Sequence, residues 1–468
     1  AQPPVGDLRW QAPQPVENWA GVRAAENFGP RCMQRPLFSD MMFRSDGMSE
    51  DCLYLNVWTP ARSAEEKLPV LIYFYGGGLF TGDGSEYRYD GESMAREGIV
   101  TLTVNYRLNI FGFFAHPELT AEADYNASSN YGFLDQTAAL QWVQDNIAAF
   151  GGDPDRVTIA GESAGSVSVS AQMISPLSRH LIAGAIGSSG SLMGTLRAGP
   201  LAEQEAKGVA FGEEERAPSL AALRQIPGDE LLEKTKKYAW THFSPAIDGY
   251  VFPESPDAMF EAGQQAKVPL LLGWNSMEQG YNGVMGGLPP TPESFQTVVR
   301  SLYGDQADEI LAVYLHTNEE EVRTSAIDLA GDRFTAFSTW KWADLHLKTG
   351  GGQPVYRYLY ARPRPASRDG NTPAATGATH SAEIEYAMGN LSTNRVYDWE
   401  PEDYRASDVF KAYYANFVKT GNPNGPGVPA WPMLNANKPQ VMYIDAETTL
   451  KPEQHAARYR VLNSLNVH

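Results

Sequence analysis

The chain is poor in features that would mark several classes of protein. Its 468 residues include only two cysteines, Cys32 and Cys52, whose simplest interpretation is a pair of buried free thiols. Lys and Arg number 37 against 56 Asp and Glu, and the formal net charge of −19 argues against nucleic acid as a partner, because phosphate binding needs a basic face. No apolar run reaches the roughly 18 to 20 residues of a membrane span.

Further absences concern cofactors and targeting. There is no His-Glu-x-x-His motif, and the glycine run 76–78 lacks the Gly-Lys-Ser/Thr of a phosphate loop, so we expect neither a metal nor another cofactor. The chain starts at Ala1 without a methionine or signal peptide, in a Pro-rich stretch that reads like the middle of a loop. We therefore expect earlier residues, and any targeting signal in them, to be missing.

Buried strands alternate with helices along much of the chain. Near-continuous apolar runs at 67–75, 99–106 and 268–274 are typical of strands in a largely parallel sheet. Apolar residues recur at helical spacing over 135–150, and a last helix is predicted at 407–419. This alternation predicts an α/β fold. Two polar, mostly helical stretches, about 192–265 and 283–348, are predicted to be cap insertions in a single domain covering 1–468.

The chain carries a Gly-x-Ser-x-Gly motif at Gly161-Glu162-Ser163-Ala164-Gly165, between a β-branched apolar run and a helix-compatible run. A serine on a sharp strand-to-helix turn exposes its hydroxyl, and the neighbouring glycines let strand and helix approach closely. The helix N-terminus would also offer unpaired N–H groups to an oxyanion. A flexible Gly/Ser loop would look the same in isolation.

A serine nucleophile needs a histidine base and a carboxylate to orient it. Of the eight histidines, His380 alone lies in a small-residue loop after a late strand. Glu278 directly follows the predicted strand 268–274, at a sheet edge where function concentrates. By itself, Glu278 could equally be an ordinary surface glutamate.

A series of ordered motifs makes the chain resemble the type-B carboxylesterases, the α/β-hydrolase family that includes cholinesterases and bacterial para-nitrobenzyl esterases. The motifs are Pro3-Pro4-Val5-Gly6-Asp7-Leu8-Arg9-Trp10, Glu50-Asp51-Cys52-Leu53-Tyr54-Leu55-Asn56-Val57, Gly76-Gly77-Gly78, Asn105-Tyr106-Arg107, Asn130-Tyr131-Gly132-Phe133-Leu134-Asp135-Gln136, Phe150-Gly151-Gly152-Asp153-Pro154, Gly161 to Gly165, Glu278, and His380 with Glu383-Ile384-Glu385. The resemblance implies an α/β-hydrolase with a large, mostly parallel central sheet, flanking helices and helical caps.

The resemblance also implies roles for individual residues. Ser163 would be the nucleophile, His380 the general base and acid, and Glu278 the carboxylate that orients His380. The other implied sets are an oxyanion hole from the N–H groups of Gly77, Gly78 and Ala164; Glu162, Ser189 and Glu383 close to the triad; and a substrate pocket with Leu79, Phe80 and Tyr281, for which core packing is the alternative. Met277 and Gln279-Gly280 depart from the family pattern, so we expect an altered turn at Glu278.

Cys32 and Cys52 match the family's N-terminal disulfide, which would place the enzyme outside the cytoplasm. Cytosolic members of the family exist, so a cytoplasmic location remains the alternative.

The expected activity is hydrolysis of small-molecule carboxylic esters through an acyl-enzyme. We find no aromatic cage for choline, so a broad carboxylesterase is favoured. The alternatives are a specialised esterase for bulky phenolic, toxin or polymer esters, and a non-catalytic adhesion protein of the same fold. The sequence assigns no oligomeric state.

Overall fold

The computed structural model describes residues 1–38 and 41–465, which divide into two compact units. Unit 1 comprises Ala1–Ile186 and Leu196–Val268; unit 2 comprises Gly187–Thr195 and the chain from Pro269 onward. Within these ranges no helix has both the length and the apolarity that crossing a membrane would require.

Nine strands make up a mostly parallel sheet. In chain order they are β1 (Leu55–Trp58), β2 (Leu68–Phe74), β3 (Val100–Val104), β4 (Gly152–Glu162), β5 (Gly184–Ser188), β6 (Leu270–Asn275), β7 (Val355–Tyr360), β8 (Gln440–Ile444) and β9 (Thr449–Pro452). Two-residue strand pairs join Arg31–Cys32 to Met48–Ser49 and Gly199–Pro200 to Ala246–Ile247.

The helices flank these strands in the chain order expected of an α/β protein. They are α1 (Glu92–Arg96), α2 (Asn109–Phe113), α3 (Pro117–Glu122), α4 (Tyr131–Asn146), α5 (Ala164–Ile174), α6 (Leu201–Glu214), α7 (Leu220–Arg224), α8 (Gly228–Lys234), α9 (Pro256–Glu261), α10 (Asn282–Met285), α11 (Pro292–Tyr303), α12 (Ala307–Leu311), α13 (Glu319–Gly331), α14 (Phe337–Thr349), α15 (Ile384–Ala387), α16 (Pro401–Thr420) and α17 (Ala456–Ser464). A π-helical turn, Asp332–Ala336, joins α13 to α14.

In unit 1 the central strand is β2, which pairs in parallel with β3 on one side and with β4 on the other. Val70 lies opposite both Val100 and Val157, and Phe74 lies opposite Gly161. Both faces of β2 are buried, which explains why its sequence is apolar without alternation. The short strand β1 adds antiparallel to β3.

In unit 2, β6 pairs in parallel with β7 along its whole length, from Leu270 opposite Val355 to Asn275 opposite Tyr360. Strand β8 continues in parallel, and β9 closes this edge in the antiparallel direction. Because β6 and β7 are parallel and in register, the turn after Asn275 and the loop after Tyr360 leave the sheet at the same edge.

The predicted α/β architecture is confirmed, and the predicted buried strands lie within two residues of the observed ones. The prediction of a last helix at 407–419 was wrong about where the helix starts and about its being the last element. Helix α16 begins at Pro401, where proline at the first turn and a capping box of Glu400 and Asp403 define the N-terminus. It is also followed by β8, β9 and α17.

Helix α17 escaped prediction because its buried side includes a charge. Arg458 is 8% exposed and forms ion pairs with Asp328 and Asp332, which lie at or beside the end of α13. A sequence pattern cannot show that an arginine is buried when its carboxylate partners lie far away in the chain.

The two polar stretches expected to be caps both contain helices. Helices α11 to α14 occupy most of 283–348, whereas α6 to α9 cover less than half of 192–265, so the mostly helical prediction was wrong for the first stretch. Their role as caps stays a prediction.

The disulfide implied by the family resemblance is present. Cys32 and Cys52 are bonded and nearly fully buried, which corrects the interpretation of two free thiols.

Replacing both cysteines, Cys32→Ala with Cys52→Ala, should lower the free energy of unfolding by about 3 kcal/mol, because the bond closes a loop with a sequence separation of 20 residues. Urea denaturation followed by circular dichroism measures the change. A reducing agent should destabilise the wild type and leave the double variant unaffected. Equal midpoints for the two oxidised proteins would contradict the prediction.

Candidate active site

Ser163 lies on a strained turn between β4 and α5. Its backbone has φ 56° and ψ −122°, a conformation that residues with a side chain rarely adopt. Ser163 is partly exposed, while Glu162 and Ala164 on either side are buried. The turn therefore presents the serine side chain from a buried strand end.

Both glycines of the motif are needed because backbone passes close by. A Cβ on Gly165 would lie 2.0 Å from the carbonyl oxygen of Phe74, at the end of β2. A Cβ on Gly161 would lie 2.4 Å from the carbonyl of Gly165. The sequence explanation of these glycines is confirmed by this close packing.

The loop after β2 lies against the same turn. A Cβ on Gly76 would lie 2.8 Å from a carboxylate oxygen of Glu162 and 3.1 Å from Cβ of Ser163. Gly77 and Gly78 follow with φ of 109° and 70°. These left-handed conformations favour glycine and let the loop turn beside the serine.

Three backbone N–H groups in this region have no hydrogen-bond acceptor within the described part of the chain. Among the described residues, no hydrogen bond is donated by the amide of Gly77, Gly78 or Ala164. Ala164 is the first residue of α5, so its N–H has no partner within the helix. Unpaired N–H groups of this kind can stabilise a negatively charged oxygen.

The loop then folds back on itself. The carbonyl of Gly77 accepts hydrogen bonds from the amides of Phe80 at 3.1 Å and Thr81 at 3.0 Å. Leu79 has φ 58°, and its carbonyl accepts from the amide of Asn109 at 2.8 Å. Leu79 and Phe80 are both buried in unit 1. Their contact with substrate stays a prediction.

In unit 2, Glu278 is hydrogen-bonded to three donors. Its Oε2 lies 2.6 Å from Nδ1 of His380, while Oε1 accepts from Oγ of Ser189 at 2.6 Å and from the amide of Asn275 at 2.7 Å. The Glu278 side chain is 1% exposed and that of His380 is 21% exposed. Such an acceptor fixes the ring of His380 with Nδ1 as the donor.

The unusual turn at Glu278 is held by backbone contacts. The amide of Met277 donates to the carbonyl of Ala378 at 2.8 Å, and the amide of Ala378 donates to Oγ of Ser276 at 3.2 Å. These bonds join the turn to the loop that carries His380. The departures from the family sequence at Met277 and Gln279-Gly280 therefore leave Glu278 in contact with His380.

A second carboxyl group, Glu383, is buried close to this pair. Asn275 connects the two carboxyl groups. Its backbone N–H donates to Glu278, and its side-chain Nδ2 donates to Oε2 of Glu383 at 2.6 Å. Burial raises the pKa of Glu383 to about 7, and the charge of Glu278 contributes to the increase.

Two contacts here were missed by the sequence reasoning. Asn275 was not singled out, although it ends a buried strand, where functional side chains concentrate. Phe334, on the π-helical turn, packs edge-on against the ring of His380 with centroids 4.8 Å apart. Nothing in the sequence signals this contact, because the π-turn is not readable from periodicity.

Tyr281 lies apart from this cluster of contacts. Its hydroxyl donates to the carbonyl of Leu288, and its ring packs against the apolar core of unit 2 beside the guanidinium of Arg323. Its predicted place in a substrate pocket stays a prediction. Among residues 1–38 and 41–465, no group of three or more His, Cys, Asp or Glu could hold a metal ion.

The sequence was compared with models of known families. The model of the carboxylesterase family matches residues 1–462. The chain belongs to the carboxylesterase family. The resemblance inferred from the motifs is thereby confirmed, and with it the α/β-hydrolase fold.

Similar proteins from animals and bacteria indicate that the activity is ester hydrolysis. A medium-chain fatty acyl-CoA hydrolase precursor of Anas platyrhynchos is 35% identical, with 96% of this chain and 84% of that protein covered. The fumonisin B1 esterase of Sphingopyxis macrogoltabida is 34% identical over 92% of this chain and 79% of its own. Carboxylesterase 5A of Homo sapiens is 34% identical over 96% of this chain and 81% of its own. This member of the carboxylesterase family is a carboxylic ester hydrolase.

Gly165→Ala should abolish hydrolysis and strongly destabilise unit 1, because its Cβ would lie 2.0 Å from the Phe74 carbonyl oxygen. Gly280→Ala is the matched control, since a Cβ there meets nothing within 4 Å. Soluble yield, melting temperature and para-nitrophenyl acetate hydrolysis would be compared. Wild-type activity in Gly165→Ala would refute the close approach.

Glu383→Gln should flatten the pH dependence of stability. The raised pKa means that the folded state binds a proton more tightly than the unfolded state, so the free energy of unfolding falls as pH rises from about 4.5 toward about 7. A neutral glutamine removes this contribution. Urea midpoints at pH 5, 6, 7 and 8 measure it for both proteins. Parallel curves across this range would show that Glu383 does not titrate there.

Proposed function

We propose that Ser163, His380 and Glu278 form the catalytic triad of this esterase, with the N–H groups of Gly77, Gly78 and Ala164 as the oxyanion hole. The observation that carries the proposal is the strained, partly exposed conformation of Ser163 beside amides with no partner among the described residues. The hydrogen bond from His380 to Glu278 and the family membership support it.

In the acylation step, Oγ of Ser163 attacks the ester carbonyl carbon while Nε2 of His380 takes the serine proton. The carbonyl oxygen becomes an oxyanion and accepts hydrogen bonds from the three backbone amides. The carboxylate of Glu278, held by three donors, stabilises the imidazolium that forms. His380 then protonates the leaving alcohol, which departs and leaves an acyl group on Ser163.

In the deacylation step, His380 removes a proton from water, whose oxygen attacks the acyl carbon. A second oxyanion forms in the same hole. Collapse of this intermediate returns the proton from His380 to Ser163 and releases the carboxylic acid. One oxyanion donor typically contributes about 3 to 4 kcal/mol to such a reaction, so the three amides matter as much as the triad.

A broad carboxylesterase acting on small esters is the favoured substrate class. The relatives include carboxylesterases and a fatty acyl-CoA hydrolase, which indicates that the family accepts varied acyl groups. A specialised esterase for bulky toxin esters is the second candidate, supported by the relative named fumonisin B1 esterase, at similar identity. A non-catalytic adhesion protein is disfavoured, since every residue that the triad requires is present.

An extracytoplasmic location is part of the proposal. The buried Cys32–Cys52 bond supports it, because disulfides persist in oxidising compartments.

Ser163→Ala and His380→Ala should each reduce kcat for short para-nitrophenyl esters at least about a thousandfold, because each removes a group that reacts. Ser464→Ala and His180→Ala, at exposed positions, serve as matched controls and should retain full activity. Release of para-nitrophenol measures the rates. Substantial activity in either triad variant would refute the assignment.

Substrate class is tested by a panel of para-nitrophenyl esters of increasing acyl length together with fumonisin B1. Comparable kcat/KM across the short acyl chains supports a broad esterase. A large preference for the toxin would favour the specialised alternative.

A further inference from the structure

Gln34 is a buried glutamine whose side-chain amide makes four hydrogen bonds, most of them to the loop that follows β2. The residue is 4% exposed. Its Oε1 accepts from the hydroxyl of Thr81 at 2.6 Å and from the amide of Gly82 at 2.8 Å. Its Nε2 donates to the carbonyl of Gly82 at 2.8 Å and to that of Cys32 at 2.9 Å. Two acceptor sites and two donor hydrogens are therefore satisfied at once.

Three of these four bonds go to the end of the loop that carries Gly77 and Gly78. That loop closes tightly, since a Cβ on Gly77 would lie 2.1 Å from the carbonyl oxygen of Thr81. Gly82 has φ 131°, and a Cβ there would lie 2.3 Å from the ring of Tyr75. Thr81 is thus packed against Gly77 and hydrogen-bonded to its carbonyl, so a shift of Thr81 would disturb the backbone of Gly77.

The segment that carries Gln34 is itself fixed. Cys32, whose carbonyl Gln34 bonds, is held by the disulfide to Cys52. The carbonyl of Met33 accepts from the side chain of Asn109 at 2.9 Å, and the same nitrogen lies 3.3 Å from the carbonyl of Phe80. Gln34 therefore connects the segment anchored by the disulfide to the loop that carries Gly77 and Gly78.

We propose that Gln34 is a positioning residue for the oxyanion hole, holding the backbone of Gly77 and Gly78 in place through Thr81 and Gly82. The inference rests on the proposed function, in which those two amides bind the oxyanion. Donors stabilise an oxyanion only when they are fixed in advance at about 2.7 to 3.1 Å from its position. Loss of the glutamine bonds should let the N–H groups move, which weakens binding of the transition state more than binding of the ester.

Gln34→Met tests the inference, because methionine has a similar length and cannot make these hydrogen bonds. The concentration of active sites is titrated from the burst of para-nitrophenol, and kcat is expressed per active site. This kcat should fall about 10- to 100-fold, while KM changes less than about threefold. The inhibition constant of a trifluoromethyl ketone, which forms an oxyanion on the serine, should rise by the same factor as kcat falls. A merely structural role would lower the active fraction or melting temperature and leave these per-site values unchanged.

Gln144→Met is the matched control. Gln144 is also in unit 1, and its side chain donates to two backbone carbonyls, of Pro154 and Leu181. We expect this variant to lose some stability and to keep kcat and the ketone inhibition constant. Thr81→Val, which removes a single hydrogen bond to Gln34, provides a milder variant if Gln34→Met does not fold. It should lower kcat severalfold in parallel with ketone affinity.

The outcomes separate this inference from the proposed function. Unchanged kcat and ketone inhibition in folded Gln34→Met, or in Thr81→Val if Gln34→Met does not fold, would overturn the role of Gln34 while Ser163→Ala stays inactive. Activity in Ser163→Ala would instead overturn the proposed function.

Discussion

The contact on which the conformation of Ser163 depends is the approach of the Phe74 carbonyl, at the end of β2, to Gly165. A Cβ at Gly165 would lie 2.0 Å from that oxygen, so the strand end and helix α5 share a space that admits only backbone. This approach brings the N-terminus of α5 and the loop after β2 together at Ser163. The strain at Ser163 persists because the packed backbone of β4, α5 and the loop after β2 determines its conformation.

In unit 2 the governing constraint is a buried carboxyl group that must be supplied with hydrogen-bond donors. Glu278 is removed from water, yet its two oxygens receive three hydrogen bonds, from Ser189, Asn275 and His380. A buried carboxylate without such donors would tend to take up a proton. Glu383 belongs to the same network through the side chain of Asn275, and burial raises its pKa, with the charge of Glu278 contributing. The partner of His380 is therefore linked to a second carboxyl group whose proton is held more tightly.

Much of the fold follows from sequence pattern because buried parallel strands have a distinctive composition. The run that became β2 is apolar without interruption, and both faces of β2, β3 and β7 are covered. The final segment was missed because α17 buries Arg458 against Asp328 and Asp332, and such pairing over a long sequence distance leaves no local signal. The start of α16 was misplaced because its capping residues precede any apolar repeat.

The sequence by itself determined the residue types and their order. A serine lies between two glycines that allow close backbone approach, and a glutamate and a histidine follow later strands. The sequence also determined the family, because the motifs of the family appear one after another along the whole chain. Only the tertiary structure decided which donors satisfy Glu278, that Phe334 packs on His380, and that Gln34 bonds the loop of Gly77 and Gly78. These contacts join residues far apart in the chain, and their hydrogen-bond geometry exists only once the backbone has been folded around them.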